Sequence, residues 1–306
     1  MLSNAPFEFP PYLAGRMAGI APLPMAVAGA GHKLALDSAR RAAEAGYIEP
    51  VLVGGEAAIR ALAAEAGWDI SAIRIVAADD EKQASETAAA LARGGEVRAL
   101  MKGHVHTDTL MRAILARGTG LRMDSRISHV FHMTLPGRDR VLYITDAAIN
   151  VQPGVAEKLD IVRNAVRLAH ALGMAEPRVA MLSGAETVSP AMPSSVDAAE
   201  VVRRAGNGGV SGAIVDGPLG FDNAVSRQAA EIKGVDSPVA GRADILVVPN
   251  LEAGNFLFKQ MVYFMSATAA GIVMGAKVPV VLTSRADPPE ARLAAAAIAA
   301  IVGAGN

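Results

Sequence analysis

The 306-residue chain contains no cysteine. Disulfides, a thiolate nucleophile and cysteine-ligated metals are therefore excluded. It also lacks a charge excess: 29 basic residues against 30 acidic ones leave a formal net charge of -1. With no basic block anywhere, it has no electrostatic footprint for nucleic acid, and a small-molecule partner is expected. No long hydrophobic run occurs; the apolar stretch at 294–302 is about half the length of a membrane span and reads as a buried helix. The N-terminal "MLSNAPFEFPPYLAG" has no basic region followed by an apolar core, so no secretory signal is expected and a cytoplasmic location is. Several catalytic signatures are missing too. There is no HExxH, no GxSxG and no Walker loop, and "AVAGAGHK" (26–33) has Leu34 where a dinucleotide fingerprint needs its third glycine.

What is present is a core: 52% of residues are hydrophobic. Short Val/Ile/Leu-rich runs predict strands at 24–28, 51–53, 73–76, 99–101, 128–133, 141–144, 179–182, 213–215, 245–248 and 278–282. Between them, apolar residues at three- and four-residue steps predict helices at 34–45, 56–66, 81–92, 155–172, 196–205 and 255–270. Gly46, Gly67 and Gly173 stand where helix C-caps are wanted. The methionines at 261–274 fall at helical spacing and read as core. Strand–helix alternation of this kind means α/β layers with a largely parallel sheet. So many strands favour two α/β/α lobes with a ligand cleft between them. We place the first lobe at 1–143 plus a C-terminal return at 276–306, and the second at 144–275.

In α/β sheets, ligands bind beyond the carboxyl ends of the strands. The exits here read "KGHVHTDT", "TDAAIN", "SGAET", "DGPLGFDNA", "PNLEAGN" and "TSRAD". Any one could be an ordinary loop or cap; six polar exits together point to a polar cleft. At the last exit, Arg285 can grip a phosphate or carboxylate with two parallel N–H···O bonds. Ser284 can donate to that anion or to an oxyanion, and Asp287 is a candidate general base. Lys102 and Thr107 could bind phosphate, and Asn255 and Lys259 flank a helix start that would attract an anion. His104/His106 and His129/His132 invite a metal reading, but residues three apart on a strand face opposite sides, so structural or substrate-contacting roles are expected and no metal is.

The blocks "MKGHVHTDTLMRAIL", "GLRMDSRISHVFHM", "YITDAAINVQP", "VDGPLGFDNAVSRQAA", "KGVDSPVAGRADILVVPNLEAGNFLFK" and "GAKVPVVLTSRAD" together resemble the phosphate acetyltransferase/phosphate butyryltransferase family, in order and over nearly the whole chain. The forms "TDAAIN", "DGPLGFDNAVS" and "VPNLEAGN" look more like the butyryl branch. The resemblance implies an isocitrate dehydrogenase-like fold and a homodimer. It also implies a reversible reaction in which acyl-CoA and inorganic phosphate give acyl phosphate and coenzyme A, with no permanently bound cofactor or metal. Arg285 then becomes the phosphate clamp, Ser284 the orienting donor, and Arg112 a member of an arginine-bearing segment near coenzyme A or phosphate. In the acetyl branch the catalytic aspartate lies about two turns into the following helix, where this chain has Ala291. Asp287 and Glu290 are the nearest carboxylates, and Asp287 is preferred. Two other readings remain: a nicotinamide-dependent decarboxylating dehydrogenase on a similar fold, whose metal would need Asp216 and Asp222, and a non-catalytic coenzyme A-binding module. For the acyl pocket, Phe221, Phe256 and Met133 are candidates.

Overall fold

The computed structural model describes residues 2–284 and 286–305. Arg285, the expected phosphate clamp, lies outside the described residues. In chain order the elements are α1 (Pro11–Met17), β1 (Leu23–Ala28), α2 (Lys33–Glu44), β2 (Ile48–Gly54), α3 (Glu56–Glu65), β3 (Ile75–Ala77), α4 (Glu81–Arg93), β4 (Ala99–Lys102) and α5 (Thr107–Leu115). Then follow β5 (Ser128–Thr134), β6 (Val141–Thr145), α6 (Val155–Ala171), β7 (Arg178–Leu182), α7 (Pro193–Arg204), β8 (Ile214–Leu219), α8 (Phe221–Val225), α9 (Arg227–Ile232), β9 (Ile245–Val247) and α10 (Leu251–Met265). The chain closes with β10 (Thr268–Met274), β11 (Val280–Val281) and α11 (Pro289–Ala304). Residues Gly46, Gly67 and Gly173 do follow helix ends, at φ of 73°, 63° and 90°.

Two compact units result, one of residues 8–125 with 270–306, the other of 1–7 with 126–269. The sequence divisions at 143/144 and 275/276 fall elsewhere. β5 pairs antiparallel with β6, Phe131 facing Ile144, so the unit that holds 126–269 begins before β5.

In the 8–125/270–306 unit the strand order is β3-β2-β1-β4-β11-β10. All neighbours run parallel except β10, which pairs antiparallel with β11. The strands are covered by helices; α11 packs on α1 and α2 and against β11, β4 and β1. Its face is nearly all alanine, and Ala294 to Ala300 are buried to the last atom with Ile298 among them. Small side chains let the helix lie close to the sheet. A Cβ on Gly303 would come within 2.6 Å of Leu23.

In the 126–269 unit the order is β5-β6-β9-β7-β8, parallel apart from the β5–β6 pair. Phe131, Met133, Ile144, Leu246, Phe258 and their neighbours form one core there, with Phe131 and Phe258 stacked at 3.9 Å. Met133, 1% exposed, is core and not pocket lining, because it points into this cluster. Phe221 and Phe256 are exposed.

Two element expectations are corrected. The helix expected at 255–270 ends at Met265, where Ser266 adopts a left-handed φ of 50°. The next segment, 268–274, is strand β10 instead of a continuing helix; Met274 on it is buried core, while Met265 is exposed. The strand expected at 278–282 is only Val280–Val281.

Candidate active site

Two glycines bring the exits of β1 and β4 together. A Cβ on Gly103 would sit 2.6 Å from the Ala28 carbonyl oxygen, and one on Gly29, itself at φ 75°, 2.8 Å from Val105. Their absence lets the Gly103 amide donate to the Ala28 oxygen (2.9 Å) and the His104 amide to the Gly29 oxygen (3.0 Å). Gly29 of "AVAGAGHK" thus serves close backbone approach. Next to them α2 begins. Its N-cap is His32, whose Nδ1 accepts from the Leu34 amide at 3.2 Å. An imidazole that accepts through Nδ1 carries its proton on Nε2. His32 and His104 stack face to face, 4.1 Å between ring centroids and 6° from parallel.

Around these exits lies a cavity of about 390 Å³, lined by His32, Leu34, Ala35, Ser38, Lys102, Gly103, His104, Thr283, Ser284 and Arg292. Short β11, parallel to β4, delivers Thr283 and Ser284 to it. Beyond Ser284 the chain turns: the Asp287 amide donates to the Ser284 carbonyl (3.2 Å), and the Ser284 amide donates to Asp287 Oδ2 (2.6 Å). Ser284 Oγ accepts from the Ala286 amide at 3.3 Å, which leaves its own proton to donate. Asp287 and Glu290 are both partly exposed. Lys102 turns its ammonium toward the Val105 carbonyl oxygen at 3.3 Å.

The other candidates are spread out. Thr107, exposed, opens α5. Arg112 is on the same helix, paired with Asp108 at 3.0 Å, and lines a different cavity with Lys82, Arg93 and Thr109. His106 diverges from His104: its Nδ1 lies 2.8 Å from Glu81, whose carboxyl it holds below its ordinary pKa. Asn255 and Lys259 project from α10 in the 126–269 unit, with Asn255 Nδ2 3.4 Å from the Ala147 carbonyl oxygen. Asn250 caps that helix by accepting from the Ala253 amide at 2.9 Å. His129 and His132 are fully buried on β5, against Phe131 and Tyr143 respectively. Among the described residues, no three His, Asp or Glu side chains gather as a metal cluster would. Asp222 is bound to Lys233 at 2.9 Å, and so is Glu186 at 2.8 Å, while Asp216 accepts the Gly217 amide.

Sequence reasoning missed the polar cavity residues His32, Ser38 and Arg292. Arg292 had a signal: it is the one cation after Glu290 in an otherwise apolar helix.

Comparison with known proteins agrees with the exit motifs. A family profile described as "Phosphate acetyl/butaryl transferase" matches residues 81–300. Phosphate acetyltransferase of Rhizobium meliloti is 51% identical over 269 residues, 88% of this chain and 85% of that protein. Phosphate butyryltransferase of Clostridium acetobutylicum is 40% identical over 282 residues, 92% and 93% of the two chains. Among solved structures, a branched-chain phosphotransacylase from Enterococcus faecalis superposes with a TM-score of 0.79 at 31% identity, covering 92% of this chain and 99% of that one. A 4-hydroxythreonine-4-phosphate dehydrogenase from Klebsiella pneumoniae, at 14% identity and a TM-score of 0.57, shares the fold alone. With a profile spanning most of its length and relatives of this identity over nearly all of it, the chain belongs to the phosphate acetyl/butyryltransferase family.

Proposed function

We propose that the protein interconverts acyl-CoA plus inorganic phosphate with acyl phosphate plus coenzyme A, by direct transfer in a ternary complex. Family membership supports the reaction; the cavity at the β1, β4 and β11 exits, with Lys102, His104 and Ser284 on its walls, supports the place. A phosphate oxygen attacks the thioester carbonyl, the tetrahedral centre collapses, and the C–S bond breaks to release the thiolate of coenzyme A. In reverse, Asp287 takes the thiol proton, and the thiolate attacks the acyl phosphate and expels phosphate. Arg285 neutralises the phosphate in both directions. The Ser284 hydroxyl donates to the carbonyl oxygen as it gains charge. Lys102 and Thr107 add donors for phosphate, and Arg112, Asn255 and Lys259 serve the remaining anionic groups of coenzyme A. No enzyme nucleophile is used, which suits a chain without cysteine. Coenzyme A is a substrate and no cofactor stays bound.

Among the described residues no helix is long and apolar enough to cross a membrane. We place the enzyme in the cytoplasm as a homodimer, an assembly that light scattering checks.

The test is thiol release from acetyl-, propionyl- and butyryl-CoA with and without phosphate. Release that depends on phosphate, with intersecting double-reciprocal lines, is expected. Parallel lines, or exchange of label between acyl-CoA and coenzyme A without phosphate, would sink direct transfer. The dehydrogenase alternative gains no support: Asp222 is neutralised by Lys233, and the glycines at 29 and 103 pack backbone on backbone.

A further inference from the structure

The cavity beside Ser284 contains a buried cation that the mechanism above leaves unused. Arg292, in the first turns of α11, is 8% exposed. Its Nη1 donates to the Asp287 carbonyl oxygen, while Nε is enclosed with no acceptor among the described residues. Burial pulls its pKa below the usual arginine value, against the pull of the Asp287, Asp37 and Glu290 carboxylates. Even so, a guanidinium keeps its charge in a protein. An enclosed charge is costly unless its hydrogen bonds are made. Arg292 lines the cavity with a second cation, Lys102, and with His32, His104, Thr283 and Ser284. No carboxylate is among the described residues on its walls. The start of the twelve-residue helix α2 is there too, and a helix N-terminus favours anions. The carboxylates that act on Arg292 stand behind the walls, while the lining itself offers cations, donors and a helix start, which suits an anion.

The geometry points to Arg292 as a further substrate-binding residue: from the α11 wall of this cavity it helps hold a phosphate group, while its Nη1 holds the Asp287 carbonyl oxygen. The assignment rests on the phosphate acyltransferase reading. The phosphate group is either the inorganic substrate or one of the phosphates of coenzyme A.

Two variants test it. Arg292→Gln keeps a donor for the Asp287 carbonyl but removes the charge; Arg292→Lys keeps the charge but loses the planar fork. Initial rates are measured with inorganic phosphate and the faster acyl-CoA, each varied at saturating partner, and with the matching acyl-dephospho-CoA. In Arg292→Gln the KM of one phosphate-bearing substrate rises about 10- to 100-fold, as expected for a lost charged hydrogen bond, and kcat falls less. Arg292→Lys lies between. A rise for inorganic phosphate assigns the site to that substrate. A rise for acyl-CoA assigns it to coenzyme A: to the 3′-phosphate where acyl-dephospho-CoA is insensitive to the substitution, to the pyrophosphate where it is not. KM values within twofold of wild type for both substrates in Arg292→Gln overturn the inference, as does a fall in kcat alone in both variants. Should Arg292→Gln not fold, Arg292→Lys decides by the same twofold limit. Wild-type protein without phosphate-dependent thiol release sinks the activity reading instead. The site is then judged by whether inorganic phosphate or coenzyme A raises the apparent Tm of the wild type more than that of the variants; equal shifts overturn it.

Discussion

At the scale of single residues, the two carboxylates after β11 are separable by experiment. Asp287 is tied into the turn through the Ser284 amide, and Glu290 sits in the first turn of α11 without that tie. Asparagine at 287 keeps an acceptor for the amide but cannot take a proton. Asp287→Asn is expected to lower kcat about 100-fold or more with a folded protein, and Glu290→Gln to leave it within about threefold; steady-state kinetics with circular dichroism checks both. The reverse pattern would make Glu290 the base. Gly103 makes a different kind of claim. Because its missing Cβ is what brings β1 and β4 exits together, Gly103→Ala should cost about 1–3 kcal/mol and lower the apparent Tm in a thermal melt. Ser284 and Lys102, which line the cavity, stood out in the sequence because polar residues at the end of an apolar strand are unusual. Arg292 stood out only as a lone cation in an apolar helix; its burial was not legible, because burial of an arginine depends on what packs over it.

At the scale of elements, the β6 exit "TDAAIN" is organised by one carboxylate. Asp146, 2% exposed, accepts from the amides of Ala148 (2.9 Å), Ile149 (3.0 Å), His129 (3.2 Å) and Asn150 (3.3 Å), and from Asn150 Nδ2 (2.6 Å). Asp146→Ala strands these donors in the interior and should cost about 3 kcal/mol or more, read from urea unfolding. On β5, burial holds the His132 imidazole down to a pKa of about 4. The unfolded imidazole takes a proton near its usual value of about 6.5, so protons favour unfolding in between. Stability should fall as pH drops below about 6.5 and level off below about 4, with about 3 kcal/mol lost from this group. His132→Met should flatten that part of a urea-midpoint profile; an unchanged profile would assign the acid sensitivity elsewhere. The miss at β10 is also an element-scale effect. "TAAGIVM" is a continuous apolar run, which periodicity cannot assign, and the break before it is a serine at positive φ, with no glycine or proline to announce it. Pairing of Ile272 with Val281 and Val273 with Val280 decides for strand.

At the scale of the whole molecule, the 8–125 unit is completed by residues 270–306, far along the chain. Helix α11 supplies a run of fully buried alanines and Ile298, and it carries Arg292 to the cavity. Deleting 289–306 would bare the sheet and α1 and α2 beneath it, so the truncated chain should be insoluble or molten, as dye binding and loss of near-UV signal would show. A truncated protein that melts cooperatively would mean that this helix is an accessory.

The α/β class, most elements, the strand exits and the family were determined by the sequence alone, because each is written in local periodicity and in ordered blocks of residues. Tertiary structure alone decided which exits share one cavity. Segments at 28–38, 102–104 and 283–292 meet only because β1, β4 and β11 are neighbours in a sheet, and because two glycines and an alanine-rich helix permit close approach. Strand order and burial are non-local, and no window of sequence contains them.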